Sequence, residues 1–331
     1  MTVMSTSPPR FRVFILSDVH YASEQERDRG DYEAPTVSNG PLRFFLKQYR
    51  RRLWRRDPFA CNHYVDRFIA AVHEGDLIIG NGDYCCDSAF IGVADDPSLR
   101  SAEECLEKLH GAFGNRFVGL IGDHDLGKKC MSGAVGGMRL ESYKRCTDSL
   151  HLNAFFKVEL GHYALVGMNS TLIGLPEWIA DCPEEERESW MCLREAHLSE
   201  IRRAMGQLTE KQRLLFFLHD PSALPHLAEF AWIREQWPRL DGTFIGHLHS
   251  ELIHGLSHLF AGMPRILGLG HTALKISTAL QKARTWKPFK VHLVPAPSGI
   301  ECWKKGGFGE ICLGSEAGEG MSFKVHSLDP G

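Results

Sequence analysis

The sequence predicts an α/β fold built around a buried sheet, and three observations carry that prediction. Short runs rich in Ile, Val, Leu and Phe end abruptly in polar or glycine-rich turns, as buried strands do. Helical patterns separate several of these runs, and alternation of strand and helix is typical of α/β folds. The chain has 331 residues, of which 43% are hydrophobic and 24% charged, so it can bury a large core in one big domain or two small ones.

Six apolar runs are predicted strands, because each is bounded by residues that favour turns. They occupy residues 12–20, 76–84, 116–125, 162–171, 213–221 and 242–250. After residue 250 the pattern changes to short strands and turns that end with 291–313. Residues 314–331 are rich in Gly, Ser and Glu, and we expect them to form a flexible tail.

Three segments between the predicted strands have apolar residues at helical spacing. They are 64–74, 101–114 and 193–208. Ser101 and Glu104 stand at the spacing of a capping box, which predicts that the second helix begins there.

Composition excludes several classes of protein. The formal net charge is −3, so the molecule as a whole lacks the basic character of a polyanion-binding protein. Residues 1–10 are polar and give no sign of a secretory signal, and no stretch reaches the roughly 18 apolar residues of a membrane span. Ten cysteines lie scattered without a compact spacing, which favours reduced thiols and a cytoplasmic location.

Residues 41–59 differ in character from the rest of the chain. In PLRFFLKQYRRRLWRRDPF, aromatic and aliphatic residues alternate with Lys and Arg. One interpretation is an ordinary amphipathic helix with a solvated basic face. The other is a surface helix that contacts anionic lipid head groups at the inner membrane or a phosphorylated substrate.

Acidic and imidazole side chains follow the predicted strands. Taken singly, a strand-end Asp is usually a turn residue and a lone His is usually structural. Taken together they would meet at one rim of the sheet, where unpaired carboxylates repel each other and require a cation. The set exceeds what one ion can use, so it predicts two divalent metals. The side chains are Asp18 and His20 after the first strand, Asp83 after the second, Asp123, His124 and Asp125 after the third, His219 after the fifth, and His247 and His249 after the sixth.

Five short motifs in this order resemble those of the calcineurin-like metallophosphoesterases: DVH at 18–20, GD at 82–83, GDHD at 122–125, HDP at 219–221 and GHLH at 246–249. The resemblance covers residues 11–313 and implies one domain, a four-layer αββα sandwich with a dimetal site at the strand ends. By this likeness Asp18, His20 and His249 would hold one ion, Asp123, His219 and His247 the second, and Asp83 would bridge them. We expect manganese, with iron or zinc as alternatives.

The resemblance implies hydrolysis at phosphorus, since two metal ions activate water and neutralise charge on phosphoryl oxygens. His124 would be the catalytic residue and would donate a proton or a hydrogen bond to the leaving oxygen. For Asp125 two roles stay open: it orients the imidazole of His124, or it caps the following turn.

One departure from the family concerns Asp123, where the family usually has Asn. Two divalent ions bring four positive charges, and three carboxylates with a hydroxide bring four negative ones. A neutral centre would hold its metals tightly and attract a phosphate dianion weakly. We therefore expect a preference for phosphodiesters or pyrophosphates, or the use of one trivalent ion.

The residues after Asp83 also depart from the family. The block reads YCCD, which argues against the protein-phosphatase and purple-acid-phosphatase branches. We expect Tyr84 to face the packed interior, Cys85 and Cys86 to be packing or loop residues, and Asp87 to support the outer shell of the site.

The third departure is the length of chain between His20 and Asp83, which exceeds sixty residues. We interpret about 24–60 as an insertion or cap over the rim. Arg and aromatic residues beside a phosphoesterase centre suggest a substrate with phosphate and apolar parts. Members of the family that cleave the pyrophosphate of UDP-2,3-diacylglucosamine have such a substrate.

Two other functions compete with this interpretation. A nuclease or cyclic-nucleotide phosphodiesterase would share the metal centre, but basic residues outside 41–59 do not cluster as nucleic acid would require. A non-catalytic metal-binding scaffold would show broken ligand motifs or lack the catalytic imidazole, and neither is seen in the sequence.

Overall fold

The computed structural model describes residues 10–30, 34–52, 60–72, 74–130, 132–246, 281, 283–297, 306–314 and 319–328. Within these ranges the chain forms a mixed α/β fold with helices and two five-stranded mixed sheets. None of the helices described is both long enough and apolar enough to cross a membrane.

The first sheet consists of β1 (Arg10–Leu16), β2 (Leu77–Gly80), β3 (Phe117–Gly119), β9 (Gly307–Gly314) and β10 (Met321–Ser327). Its order is β10-β9-β1-β2-β3. Strands β1, β2 and β3 pair in parallel, and β9 runs antiparallel to both β1 and β10. The carboxyl ends of β1, β2 and β3 therefore meet at one edge.

The second sheet consists of β4 (Phe155–Leu160), β5 (Tyr163–Met168), β6 (Arg213–Leu218), β7 (Leu240–Ile245) and β8 (Val291–Leu293). Its strands follow this order across the sheet. β4 and β5 form an antiparallel pair, whereas β5 to β8 are parallel.

The helices connect the strands and flank the sheets. The α-helices are α1 (Glu24–Asp28), α2 (Gly40–Arg52), α3 (His63–Ala71), α4 (Asp96–Phe113), α5 (Asp123–Leu126), α6 (Leu140–Lys144), α7 (Ser170–Ile173), α8 (Leu175–Trp178), α9 (Arg187–Gly206), α10 (Ala223–Glu229) and α11 (Ala231–Arg234). Single turns of 3₁₀-helix cover Ala34–Thr36, Gly92–Ala94, Gly114–Arg116, Ile179–Asp181, Glu184–Glu186 and Trp237–Arg239. A longer 3₁₀-helix covers Ala283–Phe289, and Arg145–Ser149 is a short π-helix.

Strand β1 shows how the sheets are buried. Residues 13–16 of this strand are apolar on both faces, so alternate side chains enter different cores. Phe14 and Leu16 pack in a cluster with residues of α3 and α4, such as Phe68 and Leu109. Val13 and Ile15 belong to a second cluster, which also contains Leu165, Phe217 and Phe244 of the second sheet. A third cluster combines the other face of the second sheet with α9 and α10.

Several segments differ from the sequence prediction, among them the helix expected over 193–208, which begins at Arg187. Residues Met321–Ser327, which we expected in a flexible tail, form the edge strand β10, because MSFKVHS alternates apolar and polar residues and pairs along β9. The helix expected to begin at Ser101 begins at Asp96, where the N-cap Asp95 accepts a hydrogen bond from the backbone of Ser98. Ser101 lies inside that helix, and its hydroxyl donates to Glu26.

Candidate metal centre

The loops after four parallel strands converge and bring six of the predicted side chains together. Asp18 and His20 follow β1, Asp83 follows β2, Asp123 and His124 follow β3, and His219 follows β6. The two sheets are joined here by Asn81, whose amide donates to the carbonyl of Leu218 at 3.0 Å. The converging side chains are Asp18, His20, Asp83, Asp123, His124 and His219. The predicted ligands His247 and His249 lie outside the described residues.

The carboxylate of Asp83 lies close to three other residues of this group. It is fully buried, and its Oδ1 accepts the backbone N–H of His124 at 2.9 Å. Its Oδ2 lies 3.0 Å from Nε2 of His219 and 3.8 Å from Nε2 of His20. One carboxylate oxygen thus faces two imidazoles that come from different sheets.

Both imidazoles are held by their other ring nitrogen. Nδ1 of His20 lies 3.1 Å from the carbonyl of Cys85, and Nδ1 of His219 lies 2.8 Å from the carbonyl of Asn81. Because a carbonyl only accepts, each Nδ1 carries the proton, and in neutral imidazole Nε2 then presents a lone pair toward Asp83. Lone pairs facing a carboxylate repel it unless a cation or a proton lies between them.

The donor set fits divalent metal ions. Ligand atoms of His20, Asp83 and His124 lie within 4.8 Å of one another, as do those of Asp18, Asp83 and His219. The two triads share Asp83, and imidazole with carboxylate suits divalent first-row metals. This grouping pairs Asp18 with His219, whereas the family resemblance implied that Asp18 and His20 hold the same ion.

The electrostatic environment of His219 also favours a cation. Burial lowers the pKa of this imidazole, but the carboxylates of Asp83 and Asp18 and a hydrogen bond with Asp123 outweigh burial and raise it well above the ordinary value. A buried site where carboxylates raise a histidine pKa in this way stabilises positive charge, whether a proton or a metal supplies it.

The backbone around the centre lies in the left-handed region at several residues other than glycine. The φ angles are 57° at Asp18, 46° at His20, 63° at Asp83 and 53° at Asp87. Such conformations cost roughly 1–3 kcal/mol each and cluster at functional sites, where the surrounding structure maintains them.

Asp125 holds two of the loops together. Its Oδ2 accepts the backbone N–H groups of Asp83 and Gly122, and its Oδ1 accepts that of Tyr84. Both oxygens are thus engaged with backbone N–H groups of residues that precede Asp125 in the chain, and the turn that follows Asp125 is not among these contacts.

Asp87 is the carboxylate beside His124. Its Oδ2 lies 3.7 Å from Nδ1 of His124 and also accepts the backbone N–H of Lys128. Its Oδ1 accepts the backbone N–H of Gly92 at 2.6 Å. The ring of His124 packs edge-on against that of His20 with centroids 4.8 Å apart, and burial, with Lys128 nearby, lowers the pKa of His124 well below its ordinary value.

Lys128 is a residue of the site that the sequence patterns do not single out. Its Nζ lies 2.9 Å from Oδ2 of Asp123, whose Oδ1 lies 3.3 Å from Nε2 of His219. In GDHDLGKK a lysine five residues after Asp123 carries no spacing signal, because Gly127 turns the chain with φ 104°. The ion pair adds a positive charge to the centre that the sequence-based charge count omitted.

Glycines allow the loops to approach closely. A Cβ on Gly82, which has φ 95°, would lie 2.7 Å from Cα of Gly122 and 2.9 Å from Nδ1 of His219. A Cβ on Gly246, the residue before His247 in the chain, would meet the side chains of Ser17 and Asp18. These positions accept no side chain without displacement of the neighbouring residues of the site.

The three residues after Asp83 are buried in the structure, as the sequence predicts. Tyr84 and Cys85 are fully buried and belong to the core that faces α3 and α4. Cys86 is buried, and its thiol lies 2.9 Å from the carbonyl of His20. All nine cysteines that the structure describes are free thiols.

Comparison with known proteins identifies no family for this chain. No family model matches the chain, and no curated protein matches it. Among solved structures, the phosphopantetheinyl hydrolase of Mycobacterium tuberculosis aligns over 72% of this chain and 82% of its own, with 12% sequence identity and a TM-score of 0.30. A TM-score this low supports neither a family nor a function.

Proposed function

We propose that this protein is a metal-dependent phosphohydrolase with two divalent cations at the rim where the strand ends meet. The observation that carries the proposal is the position of Asp83 Oδ2, which faces Nε2 of His219 at 3.0 Å and Nε2 of His20 at 3.8 Å. Both rings are fixed through Nδ1, as metal-binding histidines generally are.

The proposed ligands are those the sequence suggested: Asp18, His20, Asp83, Asp123, His219, His247 and His249. A Cβ built on Gly246 would lie 2.5 Å from Oδ2 of Asp18, so the chain reaches the site at the residue before His247, which supports the place of the last two in this set. The three core clusters support a four-layer αββα sandwich, with one core between the sheets and one outside each. Helices α1 and α2 fall within the proposed insertion at about 24–60.

Two bound divalent cations, manganese in our proposal, would supply an activated water near neutral pH and would neutralise charge on the phosphoryl oxygens. The chain's own residues orient and transfer protons. His124 donates a proton or hydrogen bond to the leaving oxygen, and Asp87 lies on the Nδ1 side of its ring. Asp125 maintains the loop that carries Asp83.

The proposed substrate contains a phosphodiester or pyrophosphate bond and an apolar part. Helix α2 supports the apolar part, because Phe44 and Phe45 are each 65% exposed and lie beside exposed Arg43 and Lys47. A nucleotide-linked lipid such as UDP-diacylglucosamine combines these features. The same helix would contact an anionic membrane surface from the cytoplasmic side, where the free thiols would stay reduced.

Charge balance at the centre does not by itself separate these bonds from a phosphate monoester. The ammonium of Lys128 offsets one carboxylate, so a phosphate monoester is no longer disfavoured on electrostatic grounds. A nuclease or cyclic-nucleotide phosphodiesterase would use the same metal centre and is the second candidate.

The test is a substrate panel with manganese: a UDP-linked lipid, a dinucleotide, a cyclic nucleotide and a phosphate monoester. We expect hydrolysis to fall by roughly a hundredfold or more in His124→Ala. His110→Ala, at an exposed helical histidine whose ring packs against Phe117 at the amino end of β3, serves as the matched control and should behave as wild type. Metal content is measured in each variant, because His124 belongs to one of the triads.

Equal hydrolysis by wild type and His124→Ala would contradict the proposed role of His124. Absence of bound manganese in carefully reconstituted wild type would contradict the metal centre itself. Bound metal without hydrolysis of any substrate would favour a non-catalytic metal-binding scaffold.

A further inference from the structure

The side chain of Asn81 connects the two sheets beside the metal centre. Asn81 directly follows β2 and is fully buried. Its Nδ2 donates a hydrogen bond to the carbonyl of Leu218, the last residue of β6, with 3.0 Å between the two atoms. Because β2 belongs to the first sheet and β6 to the second, this amide holds a strand end of one sheet against a strand end of the other.

The backbone of Asn81 adds contacts on both sides of this junction. Its N–H donates to the carbonyl of Leu16, the last residue of β1, at 2.7 Å. Its carbonyl lies 2.8 Å from Nδ1 of His219 and 3.4 Å from the hydroxyl of Ser17. One residue thus contacts the ends of β1 and β6 and an imidazole of the centre.

The geometry of this junction bears directly on how His219 faces Asp83. His219 is the residue after Leu218, and Asp83 comes two residues after Asn81. Nε2 of His219 lies 3.0 Å from Oδ2 of Asp83, and both side chains are fully buried. Because the amide of Asn81 bonds to the peptide group that leads into His219, loss of that bond would shift the imidazole relative to the carboxylate.

We propose that Asn81 is a positioning residue, which holds His219 against Asp83 and thereby sets the geometry of the triad of Asp18, Asp83 and His219. Metal-binding histidines are oriented by contacts outside the metal's own ligands, and loss of such contacts typically lowers metal affinity by about 10- to 100-fold. This inference rests on the proposed function, because the triad holds one of the two proposed cations.

Asn153 provides a matched control on the same two sheets. Its Nδ2 donates to the carbonyl of Gly119, the last residue of β3, at 3.2 Å, and Asn153 itself shortly precedes β4 of the second sheet. Like Asn81, it therefore joins the two sheets through an amide at a strand end. Its hydrogen bonds are made with Gly119 and Ile121, and neither is a residue of the metal centre.

The experiment measures the Kd of manganese by calorimetry after removal of metal with a chelator, and the bound metal is counted for each variant. We expect Asn81→Ala to bind manganese about tenfold or more weakly than wild type, and Asn153→Ala to stay within about threefold of wild type. Urea denaturation of both metal-free variants measures the loss of folding stability, which both variants should show. A difference in metal affinity between them therefore reports the position of Asn81 and not stability alone.

A second comparison tests whether Asn81 acts through His219. In His219→Ala the imidazole that Asn81 orients is absent, so the further substitution Asn81→Ala should change the Kd of manganese by less than about threefold. An effect of Asn81→Ala that is equally large with and without His219 would overturn the inference.

Equal manganese affinity of Asn81→Ala and Asn153→Ala would also overturn this inference and leave the proposed function intact. Wild type that binds no manganese would instead overturn the proposed function. If Asn81→Ala does not fold, Asn81→Ser decides in its place, because the serine hydroxyl ends one bond short of the position of Nδ2 and does not reach Leu218.

Discussion

The carboxylate of Asp125 accepts the backbone N–H of Asp83, with 3.0 Å between Asp83 N and Asp125 Oδ2. The same carboxylate accepts the N–H groups of Tyr84 and Gly122, so one side chain joins the loop after β2 to the loop after β3. These contacts maintain the left-handed backbone at Asp83, with φ 63°, and thereby the direction of its side chain.

We therefore expect Asp125→Asn to weaken manganese binding by about tenfold or more, although Asp125 is not a proposed ligand. An amide NH₂ cannot accept hydrogen bonds, so at least one of the three backbone N–H groups would lose its acceptor and the loop would shift. Calorimetric titration with manganese measures the effect.

Asp28→Asn, at an exposed position of α1, is the control and should bind metal as wild type does. Manganese affinity of Asp125→Asn equal to that of the control would show that the loop does not depend on this carboxylate.

The sequence predicted the strands that lead into the site, because each combines an apolar run with a turn signal. The positions of Asp18, Asp83 and His219 at strand ends followed from that pattern alone. The contacts of Lys128 and Asp87 could not be predicted, because they depend on how two loops fold against each other.

Outside the site, β10 was missed because a short alternating pattern among Gly and Ser does not distinguish an edge strand from a tail. Ser101 and Glu104 have the spacing of a capping box and therefore predict a start of α4 that is too late. The N-cap in the structure is Asp95. The hydroxyl of Ser101 instead donates a hydrogen bond to the buried carboxylate of Glu26, which lies 75 residues away in the sequence.

Gly82 provides a second prediction. Its φ of 95° and its contacts with Gly122 and His219 mean that Gly82→Ala combines backbone strain with a steric collision. We expect a loss of at least roughly 2 kcal/mol in the free energy of unfolding, measured by urea denaturation, together with weaker manganese binding.

Gly111 in α4 is the matched control, because a Cβ there meets nothing within 4 Å. Gly111→Ala should stabilise the protein by about 0.5–1 kcal/mol, since Ala favours helix. Destabilisation of both variants to the same degree would refute the geometric account of Gly82.

Glu26 provides a third prediction. It is fully buried in α1, and its Oε1 accepts the backbone N–H and the hydroxyl of Ser88 and the hydroxyl of Ser98. Its Oε2 accepts the hydroxyl of Ser101 at 2.7 Å and the backbone N–H of Cys86 at 3.3 Å. Helix α1, the loop after Asp83 and α4 are thus joined through one carboxylate.

Glu26→Gln should lower the free energy of unfolding by about 1–3 kcal/mol, because an amide NH₂ would face donors that cannot all reorient. Chemical denaturation beside Glu24→Gln, an exposed neighbour in the same helix, measures the difference. If both variants unfold at the same denaturant concentration, the buried network contributes nothing to stability.

The fourth prediction concerns pH and a histidine away from the centre. His197 of α9 is buried, and its Nε2 accepts the backbone N–H of Asn169 at 3.2 Å. Burial lowers the pKa of His197 to about 4 from an ordinary value of 6.5. Protonation would therefore both bury a charge and place two N–H groups against each other.

Because the folded state binds this proton less readily than the unfolded state, the stabilisation from neutral His197 is complete above pH 6.5 and is lost as the pH falls toward 4. The loss amounts to about 3–4 kcal/mol at most, since each unit of pKa difference corresponds to about 1.4 kcal/mol. His197→Gln keeps an acceptor for Asn169 but cannot titrate, so its unfolding free energy should fall less between pH 6.5 and 4 than that of wild type. Parallel slopes for wild type and His197→Gln over this range would mean that other groups cause the acid sensitivity.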